Sequence, residues 1–336
     1  MRIATYNVEW FSYLFDDRNE LVHDDSWSSR HNVTKAMQAQ ALGLIFQAID
    51  ADAIMVIEAP DSSPTRSGRV ALENFAEHFG LRTTAALVGF ANETQQEIAL
   101  LYDPAIVSAR HDPGHSDTAP RFDSTFRMDL DIDAKMDDVV FSKPPLEVAL
   151  TTASGFELRM IGAHLKSKAP HGAKGDADAM RISIANRRKQ LAQCIWLRSR
   201  VEEHLTAGDP IIVLGDFNDG PGLDSYEKLF GRSGVEIVLG RSGEPEQLLF
   251  DPHAEAVMTQ PFGARPTTSR FYVRPEKRYL NALLDYIMVS PDLAAKSPKW
   301  HIWHPFDDPE CWNAPELRDA LLMASDHFPV TLDIDL

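Results

Sequence analysis

Residues 210–218 read PIIVLGDFN, a continuous apolar run that gives way to polar residues at its end. A short apolar run of this kind, followed by a Gly-Pro-Gly break, is typical of a buried strand. Asp216 and Asn218 come where the strand would leave the packed core. We therefore predict a central strand that carries polar, chemically competent side chains at its end.

Similar apolar runs alternate with helical patterns along the rest of the chain, which predicts an α/β protein with sheets layered against helices. The other predicted strands are 2–8, 53–58, 97–103, 122–132, 144–152, 157–165, 267–274, 283–290, 299–304 and 328–335. Helices are predicted within 31–49, near 69–79 and over 176–205. Segments 231–266 and 305–323 are predicted to be long irregular excursions. No repeat, low-complexity tract or linker divides the sequence, so we predict one domain over 1–336.

The charge balance limits the class of partner. The chain has 33 Lys and Arg against 50 Asp and Glu, a formal charge of −17, which repels a phosphate backbone at long range. This favours a small substrate over nucleic acid. Only two cysteines are present, no secretory signal pattern opens the chain, and no apolar run suits a membrane span. We therefore expect a cytoplasmic protein with no membrane span, and we infer no obligate protein partner.

Polar residues stand at the ends of several predicted strands, where side chains project beyond the packed sheet. They are Asn7, Glu58, His164, Asp216 with Asn218, Asp285, and the pair Asp326-His327. One such acid is usually a turn residue or a helix cap. Six positions of this kind in one chain indicate a functional site.

The residue types predict the kind of metal. Hard cations such as Mg²⁺ prefer oxygen ligands and keep several waters, so one or two carboxylates and an amide suffice. Glu58 and Asn7 are the first candidates. The sequence has no CxxC or HExxH pattern, so a structural zinc site is not indicated.

Basic residues follow the histidine at 164. The stretch 164–174 (HLKSKAPHGAK) contains Lys166, Lys168 and Lys174, which form either a phosphate-attracting rim or a solvated basic loop. Arg187 and Arg188 fall on or beside the apolar face of the predicted helix 176–205. Because unpaired burial of a guanidinium is costly, each must have an internal ion pair or a phosphate contact.

Six motifs, in order from 5 to 330, resemble the endonuclease/exonuclease/phosphatase superfamily. They are TYNVEW, VIEAP, GAHLKSK, VLGDFND, LDYIMVS and SDHFPV, of which GDFND and SDHFPV are the most specific. The resemblance implies a four-layer α/β sandwich, in which two central mixed β-sheets pack face to face with helices on both outer faces. It also implies an active site at the edge where the strand ends converge.

The resemblance assigns the metal and the attacking water. It makes Glu58 the principal metal ligand, with Asn7 and Asp326 nearby, directly or through water. Asp216 would orient or deprotonate the water, and Asn218 would fix that carboxylate and the phosphate. The expected ion is Mg²⁺, with Mn²⁺ as an alternative.

Two histidines complete the implied site. Asp285 and His327 resemble the pair in which an acid orients an imidazole against a phosphoryl oxygen, although Asp285 alone also suits a buried acid that fixes a loop. His164 stands where some members have a second catalytic histidine, as general acid or phosphate donor. Lys166, Lys168, Arg187 and Arg188 are the candidate substrate-binding residues.

Departures from the family patterns affect the substrate. Ile57 precedes Glu58, where the abasic-site repair branch usually has glutamine, and 282–284 (ALL) lacks that branch's aromatic-Arg pair. The resemblance therefore disfavours repair. The leading hypothesis is a Mg²⁺- or Mn²⁺-dependent phosphoesterase acting on a phosphodiester or phosphomonoester. A nuclease is the alternative, and the intact polar set argues against a catalytically silent binding module.

Overall fold

The structure is a computed structural model that describes residues 1–94, 96–129, 136–170, 172–223, 230–241, 243–260, 263–273 and 277–336. The strands are β1 (Arg2–Asn7), β2 (Ala53–Ala59), β3 (Ala85–Val88), β4 (Glu97–Tyr102), β5 (Val107–His111), β6 (Phe126–Met128), β7 (Asp137–Val139), β8 (Leu146–Thr152), β9 (Glu157–His164), β10 (Ile211–Asp216), β11 (Ser269–Val273), β12 (Arg278–Ala282), β13 (Asp285–Val289), β14 (Lys299–Ile302) and β15 (Val330–Asp333). The helices are α1 (Lys35–Ile49), α2 (Gly68–His78), α3 (Asp176–Ala207), α4 (Gly234–Leu239), α5 (Pro252–Thr259), α6 (Pro291–Ala294), α7 (Pro309–Asn313) and α8 (Pro315–Ala324).

Local signals explain where the main helices begin and end. The hydroxyl of Thr34 accepts a hydrogen bond from the amide of Met37 and caps α1, and Asp50 ends that helix in a left-handed conformation. The long α3 ends at Gly208, also left-handed, which suits a residue without a Cβ. In the described part of the chain, no helix is both long enough and apolar enough to cross a membrane.

Two mixed sheets form the centre of the molecule. The first has the strand order β14-β15-β1-β2-β4-β3, with β1 and β2 parallel, and the second has the order β13-β10-β9-β8-β5, with β9 and β10 parallel. The hairpins β11-β12 and β6-β7 are separate. Because the carboxyl ends of parallel neighbours lie at the same edge, Asn7 comes beside the end of β2 and His164 beside Asp216.

Three apolar clusters define four layers. One lies between the two sheets and includes Met55 and Leu100 from the first sheet and Met160 and Leu214 from the second. A second joins the outer face of the first sheet to α1, α2 and α8, and a third joins the outer face of the second sheet to α3 and α4. The predicted four-layer α/β sandwich is confirmed.

The two segments predicted to be irregular contain helices. Residues 231–266 contain α4 and α5, and 305–323 contains α7 and most of α8. Ser233 and Glu236 form a reciprocal capping box on α4. These helices are short, so their apolar periodicity is hard to recognise in sequence. The strand predicted over 122–132 is confined to β6, and residues 130–132 lie outside the described residues.

Gly215, one residue before Asp216, is expected to be intolerant of a side chain. Its φ is +132°, and an added Cβ would overlap the backbone carbonyl oxygen of Ala163 on β9. Gly155 also has a positive φ, +86°, but has open space where a Cβ would lie. Gly155→Ala should cost about 1–3 kcal/mol of unfolding free energy through backbone strain, and Gly215→Ala should cost clearly more. Urea unfolding measures both. Equal losses would contradict the steric explanation.

Candidate active site

Asp216 lies at the centre of the candidate site, at the end of β10. In strand register it faces His164 on one side and Asp285 on the other. Its Oδ2 accepts hydrogen bonds from Asn7 Nδ2 (3.0 Å) and Asn218 Nδ2 (2.9 Å), and its Oδ1 accepts one from the Asn218 amide (2.8 Å). These donors hold the buried carboxylate in one orientation.

Glu58 and Asn218 are held in left-handed backbone conformations, with φ of +60° and +50°. Glu58 lies at a register shift between Ile57 and Ala59, where β2 bulges against β4. Such conformations cost free energy in residues with a Cβ, and they concentrate at functional sites. The Glu58 Oε2 accepts a hydrogen bond of 2.6 Å from Gln96 Nε2. Its Oε1 is 3.9 Å from His164 Nε2.

His327 and Asp285 form a buried pair, with 2.8 Å between His327 Nδ1 and Asp285 Oδ2. Thr268 fixes the strand that carries Asp285, because its hydroxyl oxygen accepts hydrogen bonds from the amides of Leu284 and Asp285. The Thr268 carbonyl accepts from the amide of Phe328, which fixes the segment that carries His327. The pairing predicted for Asp285 and His327 is therefore present in the structure.

The two histidines have opposite electrostatic environments. Burial disfavours the charged imidazole of His327, but the Asp285 and Asp216 carboxylates outweigh it and raise its pKa well above the usual range. Burial, with the charges of Lys143 and His327, holds the pKa of His164 well below the usual range. These surroundings favour the charged form of His327 and the neutral form of His164.

The site carboxylates lie in a poorly solvated region. Burial raises the pKa of Asp216 to about 7, with the His327 charge opposing this rise and the Asp285 charge adding to it. Burial also raises the pKa of Glu58, against the neighbouring charge of Lys143. Crowded, buried carboxylates disfavour ionisation, and a bound cation relieves that cost.

The oxygen atoms of the site fit a hard divalent cation. Among the described residues, the buried Asn7 Oδ1 and Asp285 Oδ1 have no hydrogen-bond partner, so both can accept a metal ion. Ligand atoms of Asp216, Asp285 and His327 lie within 4.8 Å of one another. Glu58, predicted as the principal ligand, contributes a further carboxylate, partly buried, on the opposite sheet.

The whole constellation matches one family model, described as endonuclease/exonuclease/phosphatase, over residues 4–327. The chain belongs to this family. Family membership makes it a divalent-metal-dependent hydrolase of phosphate esters. Its sequence matches no protein of curated function.

Solved structures of the family share the fold at low sequence identity. The chain is similar over its full length to a 3'-5' exonuclease from Neisseria meningitidis, with 17% identity, a TM-score of 0.52 and 100% of that chain covered. A family protein from Bacteroides thetaiotaomicron gives 16% identity and a TM-score of 0.51 over 98% of its chain. TDP2 from Caenorhabditis elegans gives 13% identity and a TM-score of 0.53 over 75% of its chain. The comparisons with the Bacteroides protein and with TDP2 both cover all of this chain.

Two of the residues predicted to bind substrate, Arg187 and Lys168, form ion pairs with Asp219. Arg187 Nη1 and Lys168 Nζ lie 2.7 and 2.6 Å from Asp219 Oδ1, and the Arg187 side chain is 1% exposed. This corrects the prediction that Arg187 binds substrate, because a buried guanidinium offers no surface to a ligand. Lys168 likewise has an internal partner. Lys166 and Arg188 are half-buried, and for them the prediction stays open.

Lys143 is a site residue that the sequence analysis missed. Its Nζ is 3.2 Å from His164 Nδ1 and 4.0 Å from Glu58 Oε1. Burial lowers its pKa, although the Glu58 and Asp216 carboxylates oppose this. It precedes β8, which runs antiparallel to β9, so the start of β8 lies near the end of β9. Only the strand order, which the sequence does not show, would have revealed this position.

Proposed function

We propose that this edge of the two sheets hydrolyses a phosphodiester or phosphomonoester with Mg²⁺, or alternatively Mn²⁺, as its ion. Glu58, Asn7 and Asp326 would hold the ion. The proposal rests mainly on the environment of Asp216, a buried carboxylate that is oriented by two asparagines, lies 3.5 Å from His164 Nε2 and is next to the His327–Asp285 pair.

The ion would supply positive charge against the charge that develops on the phosphoryl oxygens. Asp216 would accept a proton from a water molecule, whose oxygen bonds to phosphorus as the bond to the leaving oxygen breaks. His327 uses Nδ1 to bind Asp285, so its Nε2–H is left to donate to a phosphoryl oxygen. Asn218 keeps Asp216 oriented, and Lys143 adds a cation beside His164.

The ion is assigned to Glu58 and Asn7 rather than to the group of Asp216, Asp285 and His327, because two of that group's members are already bonded to each other. A protonated imidazole between two carboxylates is also a poor metal ligand. The Asn7 Oδ1 is buried and without a hydrogen-bond partner among the described residues, which supports its role as a ligand.

The size of the substrate is a separate question. The charge of −17 favours a small phosphate ester over a long duplex. Nuclease action on DNA or RNA is the second candidate, and an exposed group of aromatic rings around the hairpin β11-β12 favours it.

We expect chelation to abolish hydrolysis of bis(p-nitrophenyl) phosphate, and Mg²⁺ or Mn²⁺ to restore it. Mg²⁺ should also raise the Tm of the wild-type protein, because an ion that binds only the folded state stabilises it. Glu58→Gln should reduce this rise in Tm, since it removes a charged ligand. Glu157→Gln, at the opposite end of β9, is the matched control and should behave like the wild type. Full activity in excess chelator would rule out the proposal.

A further inference from the structure

Three aromatic rings and one arginine form an exposed group, here called the ring row. The rings of Tyr272 and Tyr279 meet edge to face across the hairpin β11-β12, with centroids 5.2 Å apart. The guanidinium carbon of Arg270 lies 4.0 Å from the Tyr279 centroid and 5.2 Å from that of Phe306. The residues Tyr272, Tyr279 and Phe306 are 50%, 54% and 39% exposed.

The strand that carries Arg270 and Tyr272 is bonded through its backbone to the segment of the candidate active site that carries His327. Ser269, the first residue of β11, forms a bridge with His327, and the amide of Arg270 donates to the carbonyl of Asp326 at 2.7 Å. Tyr272 is three residues further along the strand, about 10 Å away at the usual rise per residue. A ligand with its phosphate at His327 would need to extend about that distance to reach the tyrosines.

The composition of the ring row suits one kind of ligand. Arg270 donates to Asn281 Oδ1 at 3.3 Å, and it forms no ion pair with any residue in the described ranges. Its positive charge can therefore attract a phosphate. Exposed tyrosine rings with an interleaved arginine are the usual platform on which bases of a single strand stack.

We propose that the ring row stacks a base of a single-stranded nucleic acid whose backbone phosphate lies at Asp216 and His327. This inference rests on the proposed function and names a substrate class for the same site. Bases of a duplex are already stacked and paired, whereas an unstacked base offers its face to a tyrosine ring. Contact with one or two nucleotides is also compatible with a charge of −17, because few phosphates must be bound.

Binding is tested with a fluorescein-labelled single strand of about eight nucleotides, in chelator so that it is not cleaved. The double substitution Tyr272→Ala with Tyr279→Ala should weaken the Kd about tenfold or more, since stacking on each ring is lost. Tyr272→Phe with Tyr279→Phe keeps both rings and should bind like the wild type. A strand of the same length without bases should bind weakly to all three proteins.

Several results would overturn the inference: equal binding by the alanine and phenylalanine pairs, equal binding of the strand without bases, or tighter binding of a duplex. Tm values of the two double variants equal to that of the wild type exclude a folding defect. The comparison of strands with and without bases needs only the wild-type protein, so it does not depend on how the variants fold. Hydrolysis of bis(p-nitrophenyl) phosphate by the wild type separates the two proposals. If it persists while the strands bind alike, only the ring-row inference fails.

Discussion

Asp216→Asn is expected to lower kcat by about 10²–10⁴-fold, the usual contribution of a general base. The amide keeps the shape of the carboxylate but cannot accept a proton from water. The fold should survive, because the substitution removes one of several crowded carboxylates whose ionisation burial disfavours. We expect the free energy of unfolding to stay equal or to rise, as is common when a functional group is neutralised.

The measurement is the initial rate on bis(p-nitrophenyl) phosphate over a range of substrate and Mg²⁺ concentrations. Asp209→Asn is the matched control, because Asp209 precedes the same strand at its other end, where it binds His204 at 2.8 Å. This control should keep its kcat. If Asp216→Asn retained more than a tenth of the wild-type kcat, Asp216 would not be the base.

The strand ends could be predicted from the sequence for a physical reason. A buried strand needs a continuous apolar run, so the first polar residue after it marks the edge of the sheet. Asn7, Glu58, His164 and Asp216 all follow such runs, and the parallel pairs β1-β2 and β9-β10 bring them to the same side of the molecule. Their roles in catalysis remain predictions.

Other features depend on partners that lie far away in the sequence. Lys143 reaches the site only because β8 runs antiparallel to β9, and no local pattern around it indicates a function. The edge strands β3 and β5 were missed because they are short and partly exposed, which weakens the apolar signal. The ring row depends on a hairpin that pairs Tyr272 with Tyr279.

The sequence left two alternatives for Arg187, an internal ion pair or a phosphate contact. The structure places its partner, Asp219, directly after the GDFN motif at the end of β10. The Asp219 carboxylate also accepts hydrogen bonds from the amides of Gly220 (2.9 Å) and Gly234 (2.6 Å). It therefore connects α3, the loop after β10 and the start of α4.

Asp219→Asn should destabilise the fold by about 3–5 kcal/mol, because it removes a buried carboxylate that pairs with both Arg187 and Lys168. Arg187→Met should also destabilise the fold. The double variant should lose less than the sum of the two, since it removes both members of the Arg187–Asp219 pair together. The exposed cross-strand pair between Arg127 and Asp138 is the control. Asp138→Asn should cost only about 0–1 kcal/mol.

Urea unfolding of the four variants measures these differences, and steady-state kinetics on the folded proteins separate the two roles of Arg187. A structural ion pair predicts that Arg187→Met lowers the free energy of unfolding, with KM changed little. A phosphate contact predicts the reverse, a raised KM with unchanged stability. A loss of unfolding free energy for Asp219→Asn no larger than that for Asp138→Asn would contradict the ion pair.

Because Asp219 adjoins Asn218, which orients Asp216, the substitution Asp219→Asn should also lower kcat by more than the decrease in folded fraction explains.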